Sequence, residues 1–171
     1  CTYSVETGAA LPVPEEDLLD ILAQRAMRLG NLPAITDSRG SMTWENVHAV
    51  TAELSGALRK AGLCAGSRVC LLLKKGRWQA LAPWAVRAAG GVVVPLDCNA
   101  PEARLRALVH DCGASLVLTD SAEPRSGKLW DIPAFSLSGK DSMPPLSGSQ
   151  PLAEADLFAI IYTSGSTGTP K

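Results

Sequence analysis

Apolar residues recur along this chain with two different periods. Between Glu15 and Leu29, the residues Leu18, Leu22 and Leu29 fall near one helical face. Asn31-Leu32-Pro33 should end that helix, because a residue before proline avoids the α region. Two short strands are predicted next, at 34–37 and 41–43, joined by a turn at Ser38-Arg39-Gly40. Thr43 suits an N-cap for a long helix from Trp44 to about Ala61, with Val47, Val50, Leu54 and Leu58 as its apolar stripe and Gly62 as its stop.

The period then shortens. Arg68 to Leu73 reads as a buried strand, and Trp78 to Ala89 as a helix. Pro83 within that helix should kink it or delay its effective start to about Ala82. Val92-Val93-Val94 forms another fully apolar strand that reaches Pro95-Leu96-Asp97. Pro101 and Glu102 fit the first turn of a further helix, with Leu105, Leu108 and Cys112 facing inward and Gly113 terminating it. A strand is predicted at 115–119, a Ser/Pro/Gly-rich solvated loop at 138–151, and a last strand at 157–163. Helices alternating with strands that are apolar on both faces imply an α/β fold: a largely parallel sheet flanked by helices on both faces. Residues 1–14, with Gly8, Pro12 and Pro14 and no helical period, read as an entry linker.

Composition narrows the function classes. The 171 residues carry a net charge of -1, with 46% hydrophobic and 19% charged residues, an ordinary globular balance. No basic stripe points to nucleic acid. The apolar stretch from Ala80 to Leu96 is broken by Arg87 and two glycines, so it makes a poor membrane span, and no signal peptide is evident. The cysteines at 1, 64, 70, 98 and 112 lack C-x-x-C spacing. Reduced, mostly buried thiols in a cytoplasmic protein are therefore expected rather than disulfides or a zinc site.

Candidate chemistry concentrates at the end of the chain. The apolar run Phe158-Ala159-Ile160-Ile161-Tyr162 delivers Thr163-Ser164-Gly165-Ser166-Thr167-Gly168-Thr169-Pro170-Lys171. Glycines let backbone amides curl around an anion, the hydroxyls of Thr163, Ser164, Ser166 and Thr167 can donate to it, and Lys171 adds a mobile positive charge. Charge-assisted bonds of about 1.5–3 kcal/mol each could together hold a triphosphate. The spacing fits neither a Walker loop nor a dinucleotide-binding G-x-G-x-x-G. A plain Ser/Gly linker would share the composition, but it would not explain the preceding apolar run or the Pro-Lys that follows. His48 and His110 lack partners at metal-ligand spacing, and Trp44, Trp78 and Trp84 read as core residues.

The stretch Ile160 to Lys171 resembles the signature phosphate loop of the adenylate-forming (AMP-binding) superfamily. Met42-Thr43-Trp44-Glu45-Asn46-Val47 and Arg87 to Asp97 resemble two further motifs of that superfamily in order and spacing. The run Ala100 to Leu105, followed by Leu116 to Asp120, is more similar to nonribosomal peptide synthetase adenylation domains than to acyl-CoA synthetases. Val93, Cys98 and Pro83 depart from the usual pattern.

The resemblance implies the front portion of a large N-terminal domain, with residues 15–171 ending within or just after the phosphate loop. It implies ATP-dependent activation of a carboxylic acid, expected to be an amino acid, as an acyl adenylate with release of pyrophosphate. Transfer to the phosphopantetheine thiol of a carrier domain would follow. Thr163, Ser164, Gly165, Ser166, Thr167, Gly168 and Thr169 would hold ATP phosphates, and Lys171 would act in catalysis. The Mg2+ ligand, the substrate pocket and the second catalytic lysine of the superfamily are expected beyond Lys171. Asp97 is expected to be structural. An acyl- or aryl-acid ligase, or a catalytically incomplete nucleotide-binding piece, are the alternatives. With Cys1 in place of Met, the sequence reads as part of a longer polypeptide that would be inactive when confined to these residues.

Overall fold

A computed structural model of the chain describes residues 18–121, 128–137 and 157–162. The expected entry linker, residues 15–17 of the first helix and the loop at 138–151 lie outside the described residues. Helix α1 (Leu18–Leu29) leads into an antiparallel hairpin of β1 (Pro33–Asp37) and β2 (Gly40–Thr43). Thr43 is extended and its Oγ1 accepts from the Asn46 amide at 3.2 Å, which starts α2 (Trp44–Lys60) as expected. At the far end of α2, Gly62 takes φ 101°. Its amide donates to Arg59 and that of Leu63 to Leu58, so orphan carbonyls are satisfied where only glycine fits cheaply.

The remaining elements build the main sheet. They are β3 (Arg68–Leu72), α3 (Arg77–Ala88), β4 (Val92–Pro95), α4 (Glu102–Asp111), β5 (Leu116–Thr119), β6 (Lys128–Leu129) and β7 (Ile132–Ser136). The strand order is β4-β3-β5-β7-β6; the first four are mutually parallel and β6 is antiparallel to β7. Alternate residues of the parallel strands point to opposite faces. Val69, Leu71, Val93, Leu116 and Leu118 pack under α2 and α3, whereas Cys70, Val94 and Val117 pack under α4. Both faces are thus apolar and covered, which is why these strands read as continuous hydrophobic runs. Leu58, Leu116 and Leu118 are fully buried, and each such side chain contributes about 1.5–3 kcal/mol.

Three expectations need correction, and one hairpin was not foreseen. Helix α3 starts at Arg77 and continues through Pro83 rather than starting late. The carbonyl left without a helical donor belongs to Gln79, which is exposed and can be served by solvent. Pro101 is the N-cap of α4, with φ −55° and ψ 140°, rather than a member of its first turn. The hairpin β6–β7 was not expected. Its turn residues Trp130 and Asp131 both have positive φ, 52° and 66°, a geometry usually marked by Asn-Gly.

Finally, residues 157–162 form a single parallel bridge, Val93↔Ala159, and not a strand. Val93 donates to Phe158 at 3.0 Å, and Ile160 donates back to Val93 at 2.8 Å. The next donor on that edge of β4 would be residue 95, a proline with no N–H to give.

Candidate functional site

The carboxyl ends of β3 and β4 feed helices on opposite faces of the sheet, α3 and α4. Adjacent strands whose connections diverge in this way open a crevice, where open α/β sheets place ligands. Lys74 and Lys75, both exposed, follow β3, and Asp97-Cys98-Asn99 follows β4. The Lys74 amide donates to Asp120 Oδ2 at 3.1 Å, tying the β3 loop to the end of β5. Asp97 Oδ1 accepts from the Asn99 amide at 2.9 Å and from its Nδ2 at 3.2 Å. One of its carboxylate oxygens therefore shapes its own turn.

The start of α3 is fixed from outside the sheet. Asp37 at the end of β1 accepts from Arg77 through the backbone amide (3.1 Å), Nε (2.9 Å) and Nη2 (2.6 Å), and from the Arg39 amide (2.9 Å). The Arg77 hydrogen bond, reinforced by the two amides and by its charge, holds the Asp37 carboxyl well below the usual carboxylate range, against partial burial. Arg77 Nη2 also reaches the Gly40 carbonyl at 3.2 Å.

The segment running toward the hydroxyl-rich loop docks beside β4 and sets Ile160 and Tyr162 against the α4 face of the sheet. The Tyr162 hydroxyl donates to Asp111 Oδ2 at 2.6 Å. Burial, together with this carboxylate, raises the phenol above its ordinary value and keeps it protonated. Sequence reading gave Tyr162 no role, since nothing in the chain pairs it with a carboxylate 51 positions away.

Thr163, Ser164, Gly165, Ser166, Thr167, Gly168, Thr169 and Lys171 all lie outside the described residues. Tyr162, from which they follow, is the last described residue. His48 is half-buried and His110 exposed. Among the described residues, no three His, Cys, Asp or Glu side chains gather as a metal site. Nor is any described helix long and apolar enough to cross a membrane. A groove of about 340 Å³ lies between α1, β1, α2 and α3 and is lined by Leu22, Ala34, Trp44, Leu81 and Trp84. Arg25 is its one charged lining residue, so it offers no acid–base pair. Trp84, read from the sequence as core, is 39% exposed on its rim.

Comparison with known proteins bears on the whole chain. The family model described as AMP-binding enzyme matches residues 22–171. FR901469 synthetase of Dothideomycetidae sp. (strain 11243) is 32% identical over 161 residues, covering 89% of this chain and 1% of that protein. Enterobactin synthase component F of Shigella flexneri is 33% identical over 167 residues, covering 93% and 12% respectively. The chain thus spans a small part of the relatives it matches. The fold is similar to that of the nonribosomal peptide synthetase FmoA3 in its α-methyl-L-serine-AMP bound form, with TM-score 0.75, 25% identity, and coverage of 95% of this chain and 18% of that one. It is also similar to the fatty acyl-adenylate ligase of L. pneumophila in complex with acyl adenylate and pyrophosphate, with TM-score 0.73, 26% identity, and coverage of 91% and 29%.

Proposed function

Because the chain belongs to the AMP-binding enzyme family, we propose that it supplies the ATP-phosphate loop of an adenylate-forming ligase. The observation that carries this reading is the run Thr163 to Lys171, placed directly after a segment that docks in parallel on β4. In the proposed reaction a carboxylate oxygen bonds to the α-phosphorus of ATP, and the bond to the β-phosphate bridge breaks. Pyrophosphate leaves and an acyl adenylate remains.

The contribution of this chain is electrostatic. Backbone amides around Gly165 and Gly168 and the hydroxyls of Thr163, Ser164, Ser166, Thr167 and Thr169 would grip the β- and γ-phosphates. Lys171 would meet the charge that builds on the departing pyrophosphate. Magnesium would accompany ATP and share that charge. The described residues do not fit a site for it, and we assign its ligand to the longer polypeptide. The same assignment holds for the carboxylate pocket, so residues 15–171 act as the front portion of the domain.

An amino acid is the favoured substrate and a phosphopantetheine-bearing carrier domain the favoured acceptor, since the relatives include peptide synthetases. The similar match to a fatty acyl-adenylate ligase favours, as a second reading, an acyl acid in place of the amino acid. A cytoplasmic location suits a reaction that consumes ATP and uses free thiols.

The test is ATP–pyrophosphate exchange by the full-length polypeptide, with panels of amino, aryl and fatty acids. Lys171→Met should lower kcat/KM for ATP by the equivalent of about 2–4 kcal/mol, roughly 30- to 1,000-fold, with little change in acid binding. An unchanged kcat/KM would reject the role given to Lys171. Exchange with fatty acids alone would select the second reading.

A further inference from the structure

Four described cysteines carry free thiols, and two of them meet. Cys70 sits in the middle of β3 on the α4 side of the sheet, and Cys112 is the C-cap of α4. Their Sγ atoms are 3.5 Å apart although the residues are 42 positions apart in the chain. Both are buried, at 0% and 4% exposure, among Val94, Val117, Leu108 and Val109. Burial of two thiols in contact is a packing solution in a reducing compartment. It is also the starting arrangement for a disulfide, which needs the sulfurs to close to about 2.05 Å. Forming the bond thus requires a closure of about 1.5 Å.

The surroundings make the two thiols unequal. Cys112 lies in the terminal turn of α4, where its amide bonds to Leu108 and its Sγ to the Val109 carbonyl at 3.4 Å. Arg68 Nη1 donates to the Cys112 carbonyl at 2.5 Å and brings a positive charge to that turn. The hydrogen bond between the two thiols, with help from the Ala114 amide and Arg68, draws Cys112 below the ordinary thiol value against the effect of burial. The same hydrogen bond, with burial, pushes Cys70 up. Cys112, at the helix end beside Arg68 and the less deeply buried of the two, is the thiol that an oxidant meets first, and Cys70 inside β3 is placed to resolve it.

We propose that Cys70 and Cys112 are an oxidative modification site, a dithiol that hydrogen peroxide converts into a disulfide stapling β3 to the carboxyl end of α4. The Cys112 sulfur attacks one peroxide oxygen, giving a sulfenic acid and one water. The Cys70 sulfur then displaces the hydroxyl from the Cys112 sulfur, forming the S–S bond and releasing the second water. The two thiols lose two protons and two electrons, and peroxide takes up both pairs. A dithiol reductant reverses the step. Peroxide can reach the buried pair only when the Cys112-Gly113 turn opens.

The test exposes the full-length polypeptide in native buffer to millimolar hydrogen peroxide, then denatures, alkylates and digests it for mass spectrometry. The expected product is a peptide pair linking Cys70 to Cys112 and lighter by two hydrogens. The exposed Cys64 serves as an internal gauge of oxidant dose, and Cys64→Ser leaves the yield unchanged. The linked protein should melt about 5 °C or more above the reduced form, since the bond closes a long loop. That gain should vanish in Cys112→Ala. The proposal is overturned if both thiols stay alkylatable at a dose that oxidises Cys64. It is equally overturned if the link forms only in urea, or if Cys112 pairs with Cys64 or Cys98 instead. Should Cys112→Ala fail to fold, the wild-type peptide map alone decides.

Discussion

Asp37 carries more than one would ask of a hairpin residue. Its two oxygens receive the Arg77 fork and two backbone amides, and so join β1 to the first turn of α3. Asp37 has a depressed pKa in the fold, so its contribution is fully present above the unfolded carboxyl value of about 4. It is lost as pH falls from there toward the folded value. We expect Asp37→Asn to lower Tm at pH 7, with the gap to wild type narrowing below about pH 4. Thermal melts of both proteins across pH 3–7 check this, and a gap that stays constant would remove the ion pair from the account. The pair was not legible in the sequence, because its partners stand 40 positions apart. The Thr43 cap was legible, because its acceptor and donor are three residues apart and the capping geometry is local. The candidate loop could be proposed from the sequence for a similar reason. Its hydroxyls, glycines and lysine are contiguous, so the proposal needs no knowledge of the fold.

Helices α1–α4 and strands β1–β5 fall within a few residues of where periodicity puts them, because each buries an apolar stripe or run. The elements that escaped have weak local signals. β7 contains Pro133, and its turn is Trp-Asp, so neither the strand nor the hairpin signature was present. The segment 157–162 has the hydrophobicity of a strand, but a ladder needs donors on the partner, and Pro95 withholds one. Glycines show the same dependence on partners. A Cβ at Gly91 would lie 2.9 Å from Val86 Cγ1 and 3.1 Å from Leu63 Cδ2. Gly91→Ala should therefore cost about 1–3 kcal/mol through overpacking between α3 and β4. Gly56, inside α2, has nothing within 4 Å of the same position. Gly56→Ala should stabilise by about 0.5–1 kcal/mol from helix propensity alone. Urea unfolding of the two variants tests both signs, and a destabilised Gly56→Ala together with a neutral Gly91→Ala would contradict the packing described.

At the scale of the whole molecule, the described residues pair the two edges of the sheet unequally. β6 closes one end as a short antiparallel strand, while the segment beyond β4 leaves Leu157, Phe158 and Ile161 exposed at 42%, 47% and 70%. Among the described residues these side chains are only partly covered. An apolar, sparsely paired edge is a template for association. The 171-residue chain should accordingly self-associate as its concentration rises, and Ile161→Lys should shift it toward monomer. Sedimentation velocity over a concentration series would show this, and a monomer at every concentration would contradict it.

The bridge between Val93 and Ala159 also has a consequence in time. A ribosome emits about 5–20 residues per second, so the stretch from Val93 to Ala159 takes roughly 3–13 s to synthesise at that rate. For that interval β4 exists without its outer neighbour, while β3, made earlier, is already at hand to pair with its other side. The nascent chain therefore presents one bare strand edge for seconds, long enough for a chaperone to reach it before Ala159 does.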